Sequence, residues 1–412
     1  MKLQACKIRM DDILCIYEDG TSSTIPSLNV SFIRIEKDFF SNFLPILNIK
    51  ALVTRDQYKK INSGVTKFKI SIDKFYIDSE HTEYNKDDYT TMYSKFISDV
   101  FINVNNNDSS IDPTEEIAKN TNQNDYEKAN IEIDLMLFTE GGLNYRKLNG
   151  QIFEKCSIVD VIIGLAQITD QGKLLFSYPD NQYFYNNSII IPYNLTFIGG
   201  IKFLQTVYGI YNKGYILFRD YDVTYLIDKS INCNAYRNGE FKRVYISYDE
   251  LTKAEGNIYG QYRDNANMRY VVNTIHSPII STNGTSENEL LFDNMHVINT
   301  TTGKSTVKNI NMVKSSSNKT TKIVENKYNN DFIVNSTAYE IELNNKSVTM
   351  SFNEIDLDLF TPNKEFYLDI KADKKEYRNI NGCMKLSRVL AVYEKKDDSS
   401  FTGLITAEFK GA

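Results

Sequence analysis

The chain has 412 residues, 42% of them hydrophobic, and 47 basic against 53 acidic side chains give a net charge of −6. That length exceeds one ordinary core and implies two to four subdomains. Because the charges are interleaved, the chain offers neither the basic field of a nucleic-acid-binding domain nor a cationic membrane-surface stripe.

Residues 1–140 are expected to form a first β-barrel lobe. Phe32, Arg34 and Glu36 share one face of a strand and Ile33 and Ile35 the other, and Leu47, Ile49, Ala51 and Val53 then alternate with more polar neighbours. A short polar helix over Arg55 to Ile61 ends near Ser63-Gly64, after which Phe68, Ile70 and Ile72 resume period two. Residues 104–128, almost free of apolar side chains, predict an Asn-rich surface loop. Ile131, Ile133, Leu135 and Leu137 give the strand that closes the lobe.

Residues 141–235 predict a helix-turn-strand middle domain. Ser157-Ile-Val-Asp160 has the form of a capping box, with Ile158, Val161, Ile162 and Leu165 as the helix's apolar face. Ile189 to Asp228 is the most informative stretch. Asn194 and Thr196 can cap a second helix striped by Phe197, Ile201, Leu204 and Tyr208. Asn212-Lys213-Gly214 then reverses the chain into a strand rich in β-formers. This predicts a packed docking unit.

Residues 236–330 read as linking strands, over Phe241 to Tyr248 and Arg269 to Ile275, followed by a polar segment at 297–329 that is either a boundary or a projecting hairpin. Residues 331–412 predict a compact C-terminal β-barrel or meander. Its strands are expected around Tyr339, Ile341 and Leu343; Val348, Met350 and Phe352; Ile355, Leu357 and Leu359; Phe366 to Ile370; Met384 to Tyr393; and Leu404 to Phe409. The expected fold class is mainly β (α+β), two β-barrel lobes flanking an α/β middle with two main helices.

Chemistry is sparse. Cys6, Cys15, Cys156, Cys233 and Cys383 are odd in number and scattered, the pattern of reduced, buried thiols in a cytosolic product. His81, His276 and His296 lack metal-ligand spacing, and the phosphate-loop and nucleophile-elbow motifs are missing. Asp220 and Asp222 put two carboxylates on one face of a strand, a way to hold a divalent metal; a solvated strand end is the simpler reading. Glu354, Asp356 and Asp358 form an acidic row, and paired carboxylates can hydrolyse glycosidic bonds, but their alternation with three aliphatics fits the outer face of a strand better. No catalytic, cofactor-binding or metal residues are therefore assigned, and no cofactor is expected. The longest apolar run, Val161 to Ala166, is far below the ~20 residues of a bilayer span, so no transmembrane segment is expected. The 28 Tyr and 23 Phe, with no Trp, fit two readings equally: surfaces that become interfaces, or an AT-rich genome in which Asn, Lys, Ile and Tyr are all abundant.

Three stretches carry a resemblance: Phe43-Leu-Pro-Ile-Leu-Asn-Ile-Lys-Ala-Leu-Val-Thr with the short helix behind it; Ile189-Ile-Ile-Pro192 through Tyr208 to Asp222; and the closing strands at Phe366-Tyr-Leu-Asp-Ile, Ile380-Asn-Gly-Cys-Met-Lys-Leu and Leu404 to Phe409. In order and spacing they resemble the central baseplate hub proteins of contractile-tailed phages, related to the base of the type VI secretion spike. The resemblance covers nearly the whole chain as a segment pattern without an invariant motif. It implies a homotrimer whose six barrels match the six-fold tail tube and whose other end receives a separate spike protein. The implied partners are the chain itself, the tail tube protein, the spike protein and other baseplate proteins, in the virion tail tip after synthesis in the host bacterial cytoplasm. A wedge or arm scaffold, a receptor glycan-binding tail protein and a peptidoglycan hydrolase are the competing expectations.

Overall fold

The computed structural model describes residues 5–77, 94–103, 130–230, 243–249, 259–264, 267–273, 278–282, 294–309, 321–325, 331–344, 346–371, 380–396 and 400–411. The Asn-rich segment at 104–128 lies outside them.

The first lobe contributes β1 (Ala5–Met10), β2 (Ile13–Ile16), β3 (Ser22–Ile25), β4 (Val30–Asp38), β5 (Ile46–Thr54), helix α1 (Arg55–Ser63), β6 (Lys67–Ile77), β7 (Ser94–Asn103) and β8 (Asn130–Thr139). The expected alternation is present throughout: Ile33, Ile35, Leu47, Ile49, Ala51, Val53, Phe68, Ile70, Ile72 and Leu137 are all buried. Burying one such side chain contributes about 1.5–3 kcal/mol, which fixes the register because a one-residue slip would turn the whole set outward. The short polar helix is α1, held at its start by a reciprocal Thr54–Gln57 capping box.

The middle contains β9 (Asn149–Ser157), α2 (Ile158–Ile168), β10 (Lys173–Phe176), β11 (Tyr185–Leu195), α3 (Phe197–Val207), β12 (Tyr215–Asp220) and β13 (Val223–Asp228). Beyond it lie β14 (Arg243–Asp249), β15 (Tyr259–Asp264), β16 (Asn267–Asn273), β17 (Ile279–Thr282), β18 (Asn294–Ile298), β19 (Ser305–Asn309) and β20 (Thr321–Glu325). The last three form a small sheet of their own, with β18 and β19 as an antiparallel hairpin within the polar segment. The chain closes with α4 (Asp331–Leu343), β21 (Lys346–Asn353), β22 (Glu365–Lys371), β23 (Gly382–Lys395) and β24 (Ser400–Gly411).

Pairing in the large sheet runs β23-β4-β5-β8-β7-β6-β1-β24, and β24 pairs back onto β23, so these eight strands close on themselves. The same β23–β24 hairpin continues into a second run, β15-β16-β14-β22-β23 on one side and β24-β21-β17 on the other. Hydrogen bonds therefore join strands of residues 1–140 to strands of residues 382–411. The molecule is β-rich α+β.

Two strands expected in the last 80 residues are not strands. Tyr339, Ile341 and Leu343 lie in α4, where Tyr339 and Leu343 are buried one helical turn apart. A three-member i, i+2, i+4 series contains the helical i, i+4 pair, so it cannot separate the two periods. Ile355, Leu357 and Leu359 are buried, but around a short 3₁₀ turn at Leu357–Leu359. The Asp356 carboxylate accepts from the Asp358 N–H at 3.0 Å and closes that turn.

Cys6, Cys15 and Cys156 are free and buried. Burial pushes the Cys15 thiol up to about 12, with a Ser23 hydrogen bond opposing. Cys383 is disulfide-bonded, which corrects the expectation of an entirely reduced chain. A disulfide needs two Cβ atoms about 4 Å apart in space, and linear spacing does not reveal that.

Candidate docking unit

The middle unit is built as its sequence directs. Ser157 and Asp160 form the reciprocal capping box at the start of α2, and Thr196 accepts from the Gly199 N–H at 3.3 Å at the start of α3. Backbone and side-chain hydrogen bonds from Ser157 hold the Asp160 carboxyl below its usual range. Ile158, Val161, Ile162 and Leu165 pack against Phe197, Ile201 and Leu204, all fully buried, while Tyr208 at the end of the stripe is half-buried. Gly214 at φ +79° makes the expected reversal into β12.

This unit is fastened to the barrel through β12. The Arg219 N–H donates to the Phe43 carbonyl at 2.7 Å, and Phe218 meets Phe39 edge-on at 4.7 Å. Between them Lys37 Nζ reaches the Asp220 carboxylate at 2.6 Å, with side-chain exposures of 1% and 10%. Burial pushes the Asp220 carboxyl up, and the neighbouring Lys37 charge works against that. Among the described residues the other Asp220 oxygen and the Tyr221 hydroxyl have no hydrogen-bond partner. A second tie is Lys385, wholly buried, whose Nζ donates to the Asp228 carbonyl at 2.9 Å. A third runs to α4, through Lys229 and Glu340 at 3.2 Å and Lys213 over the Tyr339 ring at 4.3 Å.

The acidic pairs do not form the sites they suggested. β12 ends at Asp220 and Tyr221 turns the chain at φ +53°, so Asp220 points into the junction while Asp222 is 75% exposed beside Lys173. The two are not on one strand face. Asp356 and Asp358 instead converge on Lys74, Asp356 at 3.0 Å. Burial opposes ionisation of Asp358, but Lys74 and Lys37 outweigh it and hold its carboxyl below the usual range. Glu354 stands apart at φ +49°. His296 is half-buried on β18, and His81 and His276 lie outside the described residues.

A cavity of about 470 Å³ opens where the 39–46 segment meets the middle unit, lined by Phe39, Phe40, Phe43, Tyr145, Arg146 and Ile198 among others. Its walls are mostly aromatic and aliphatic, with Ser41, Asn42 and the Arg146 guanidinium as polar points, suited to receiving a largely apolar side chain. Among the described residues no group of three or more His, Cys, Asp or Glu is placed to hold a metal ion, and no helix is long and apolar enough to cross a membrane.

Sequence reasoning missed the Lys37–Asp220 pair. Its signal was present: Lys37 continues the inward phase of Ile33 and Ile35, where a charge requires a buried partner.

The family model described as Bacteriophage PBS1 gene 109 protein matches residues 7–405. No curated protein matches the chain by sequence. Among solved structures, a tail protein from Neisseria meningitidis MC58 is similar with a TM-score of 0.52 at 10% identity, covering 99% of this chain and 97% of that one. The 43 kDa tail protein of prophage MuSo2 from Shewanella oneidensis has a TM-score of 0.52 at 8% identity, covering 96% of each chain. At such identities the likeness is one of fold.

Proposed function

The chain belongs to the Bacteriophage PBS1 gene 109 protein family, and from that premise we propose that it is a structural protein of the phage tail, specifically the hub that joins tail tube to spike. In this reading three copies surround the tail axis. Each presents its two β-rich lobes toward the six-fold tube, and a separate spike protein is received at the other end. The tail tube protein, the spike protein and neighbouring baseplate proteins are its partners, and the virion tail tip is its place. The lobes centre on residues 1–140 and 331–412 and share the β23–β24 hairpin, the docking unit is 141–235, and 236–330 adds β14 to β17 to the second lobe.

The observation that supports this most is that the likeness to two tail proteins, one of them from a prophage, runs through nearly the full length of all three chains. The junction fits a load-bearing role: a buried ion pair, an aromatic contact and a main-chain bond fasten the docking unit to the barrel. Asp220 and Asp356 serve the fold as ion-pair partners of Lys37 and Lys74.

Native mass spectrometry of the chain, alone and mixed with the phage's spike protein, tests the proposal. The expected species is three times 47.5 kDa, about 142 kDa, alone or with spike bound. A stable dimer that ignores the spike would point to a peripheral tail component instead.

A further inference from the structure

The cavity beside Phe43 is assembled from three parts of the chain: the turn at 39–46 between β4 and β5, the end of β8 with the 3₁₀ turn Gly141–Arg146, and the docking unit at Ile198, Tyr215 and Leu217. Its volume of about 470 Å³ falls within the ~300–1,000 Å³ of ligand pockets. Phe39 and Leu44 are buried in its wall, whereas Phe40, Phe43, Phe138 and Ile198 stay half-buried around it. Aromatic and aliphatic surface is thus left open in one concave place. The walls are held by contacts of their own. The Asp38 carboxylate accepts from the Phe40 and Ser41 N–H groups at 3.0 and 2.9 Å, which fixes the turn. The Phe43 ring meets Tyr145 edge-on at 5.2 Å, and its carbonyl accepts the Arg219 N–H. A partner therefore meets a preformed pocket and loses little to ordering it.

The charge around the cavity defines the chemistry of its occupant. Among the described residues no acidic side chain lines it. Arg146 is exposed, lies over the Tyr145 ring at 5.8 Å and donates from Nε to the Tyr145 hydroxyl at 3.4 Å. No carboxylate among the described residues pairs with its guanidinium. Lys410 stands over the Phe40 ring at 5.2 Å and donates to the Asn344 side-chain oxygen, a neutral partner. Nearby acids are engaged elsewhere, Asp38 in the turn and Glu140 with Lys67 at 2.6 Å. Ile198 belongs to the first turn of α3, where no acidic residue offsets the positive end of the helix. An apolar interior with a forked guanidinium at its edge selects an apolar side chain that has a carboxylate beside it. A nucleic-acid backbone is disfavoured by the chain's net charge of −6.

We propose that this cavity receives a short acidic segment of a neighbouring tail protein. One aromatic or large aliphatic side chain of that segment sits among Phe40, Phe43 and Ile198, and an adjacent Asp or Glu carboxylate pairs with Arg146. The proposal rests on the chain being a structural protein of the phage tail and does not depend on its being the hub. The probe is the amidated peptide Gly-Ser-Asp-Phe-Asp-Ser-Gly, titrated against the full chain by ligand-observed NMR beside its Asn-Phe-Asn and Asp-Ser-Asp counterparts. The Asp-Phe-Asp peptide is expected to bind at least about tenfold more tightly than Asp-Ser-Asp, and about two- to fivefold more tightly than Asn-Phe-Asn. Arg146→Gln, a substitution at an exposed side chain, should remove the preference for Asp over Asn and leave Asn-Phe-Asn binding unchanged; high salt should do the same to the native chain. Equal binding of the Asp and Asn peptides, a preference that survives Arg146→Gln, or no binding at millimolar peptide overturns the proposal. Phenylacetate binding as tightly as Asp-Phe-Asp would assign the pocket to a free aromatic acid, and displacement of the peptide by oligothymidylate would assign it to nucleic acid; either result also overturns it. Immunoblotting of purified phage tails separates the two readings. A chain present in tails that binds no peptide overturns the pocket alone, whereas a chain missing from tails overturns the tail reading and the partner with it.

Discussion

Lys37 and Asp220 are 183 residues apart in sequence and form a nearly water-free pair. Removing one partner leaves the other charge buried, which costs about 3–5 kcal/mol, whereas replacing both with apolar residues of similar volume can be neutral. Lys37→Met is therefore expected to lower the urea midpoint strongly, and Lys37→Met/Asp220→Leu to recover most of the loss. A single variant within about 1 kcal/mol of wild type would contradict a buried pair. Lys385 gives a pH signature. Burial holds its ammonium down to about 8, against the opposing charges of Asp228 and Glu365. Between about pH 8 and 10 the unfolded chain thus carries the extra proton, so this group adds stability as pH rises, up to about 1.4 kcal/mol per unit. Cys15 runs the other way above pH 9, because its folded thiol stays protonated while the unfolded one ionises. The contribution is isolated by comparison: the stability gap between wild type and Lys385→Met should shift in favour of wild type from pH 8 to 10. A pH-independent gap would mean Lys385 is not buried as described.

At the scale of elements, caps and tight turns carry local specification. The Ser157 hydroxyl accepts the Asp160 N–H at 3.2 Å and donates to its carboxylate, so Ser157→Ala is expected to cost about 1 kcal/mol in thermal unfolding. Gly209 ends α3 at φ +76°, and a Cβ there would stand 2.5 Å from the Phe332 ring of α4. Gly303 has a similar φ of +66° with open space around it. Alanine at Gly303 should then cost about 1 kcal/mol from backbone strain alone, and at Gly209 an additional 1–3 kcal/mol from overpacking. Equal losses at the two sites would contradict the α3–α4 contact. These elements were legible because a cap, an amphipathic stripe and a turn are all local signals. The strand expected over Tyr339 to Leu343 failed because three residues do not distinguish period two from period 3.6. The pairing of Lys74 with Asp356 and Asp358 was not legible, since 282 residues separate the first two.

Over the whole molecule, the alternation of single strands was readable but their partners were not. β1 pairs with β24 and β4 with β23, contacts spanning nearly the whole chain, and period-two patterning carries no information on which strand lies alongside. The consequence is a β23–β24 hairpin shared by the closed eight-strand ring and the second run of strands, so the two β-rich lobes are mechanically continuous. A shared hairpin with an α/β unit pinned to it by buried charges suits a protein that must hold a tube and a spike in fixed relation. In that reading the aromatic cavity beside Phe43 would remain open to another tail protein. Three-fold averaged electron microscopy of the phage tail tip, with this chain located by a fused tag, is the most direct test. The account expects three copies around the axis, with six β-rich lobes apposed to the end of the tube. Tags at the periphery of the tail tip, or six copies per tail, would contradict it.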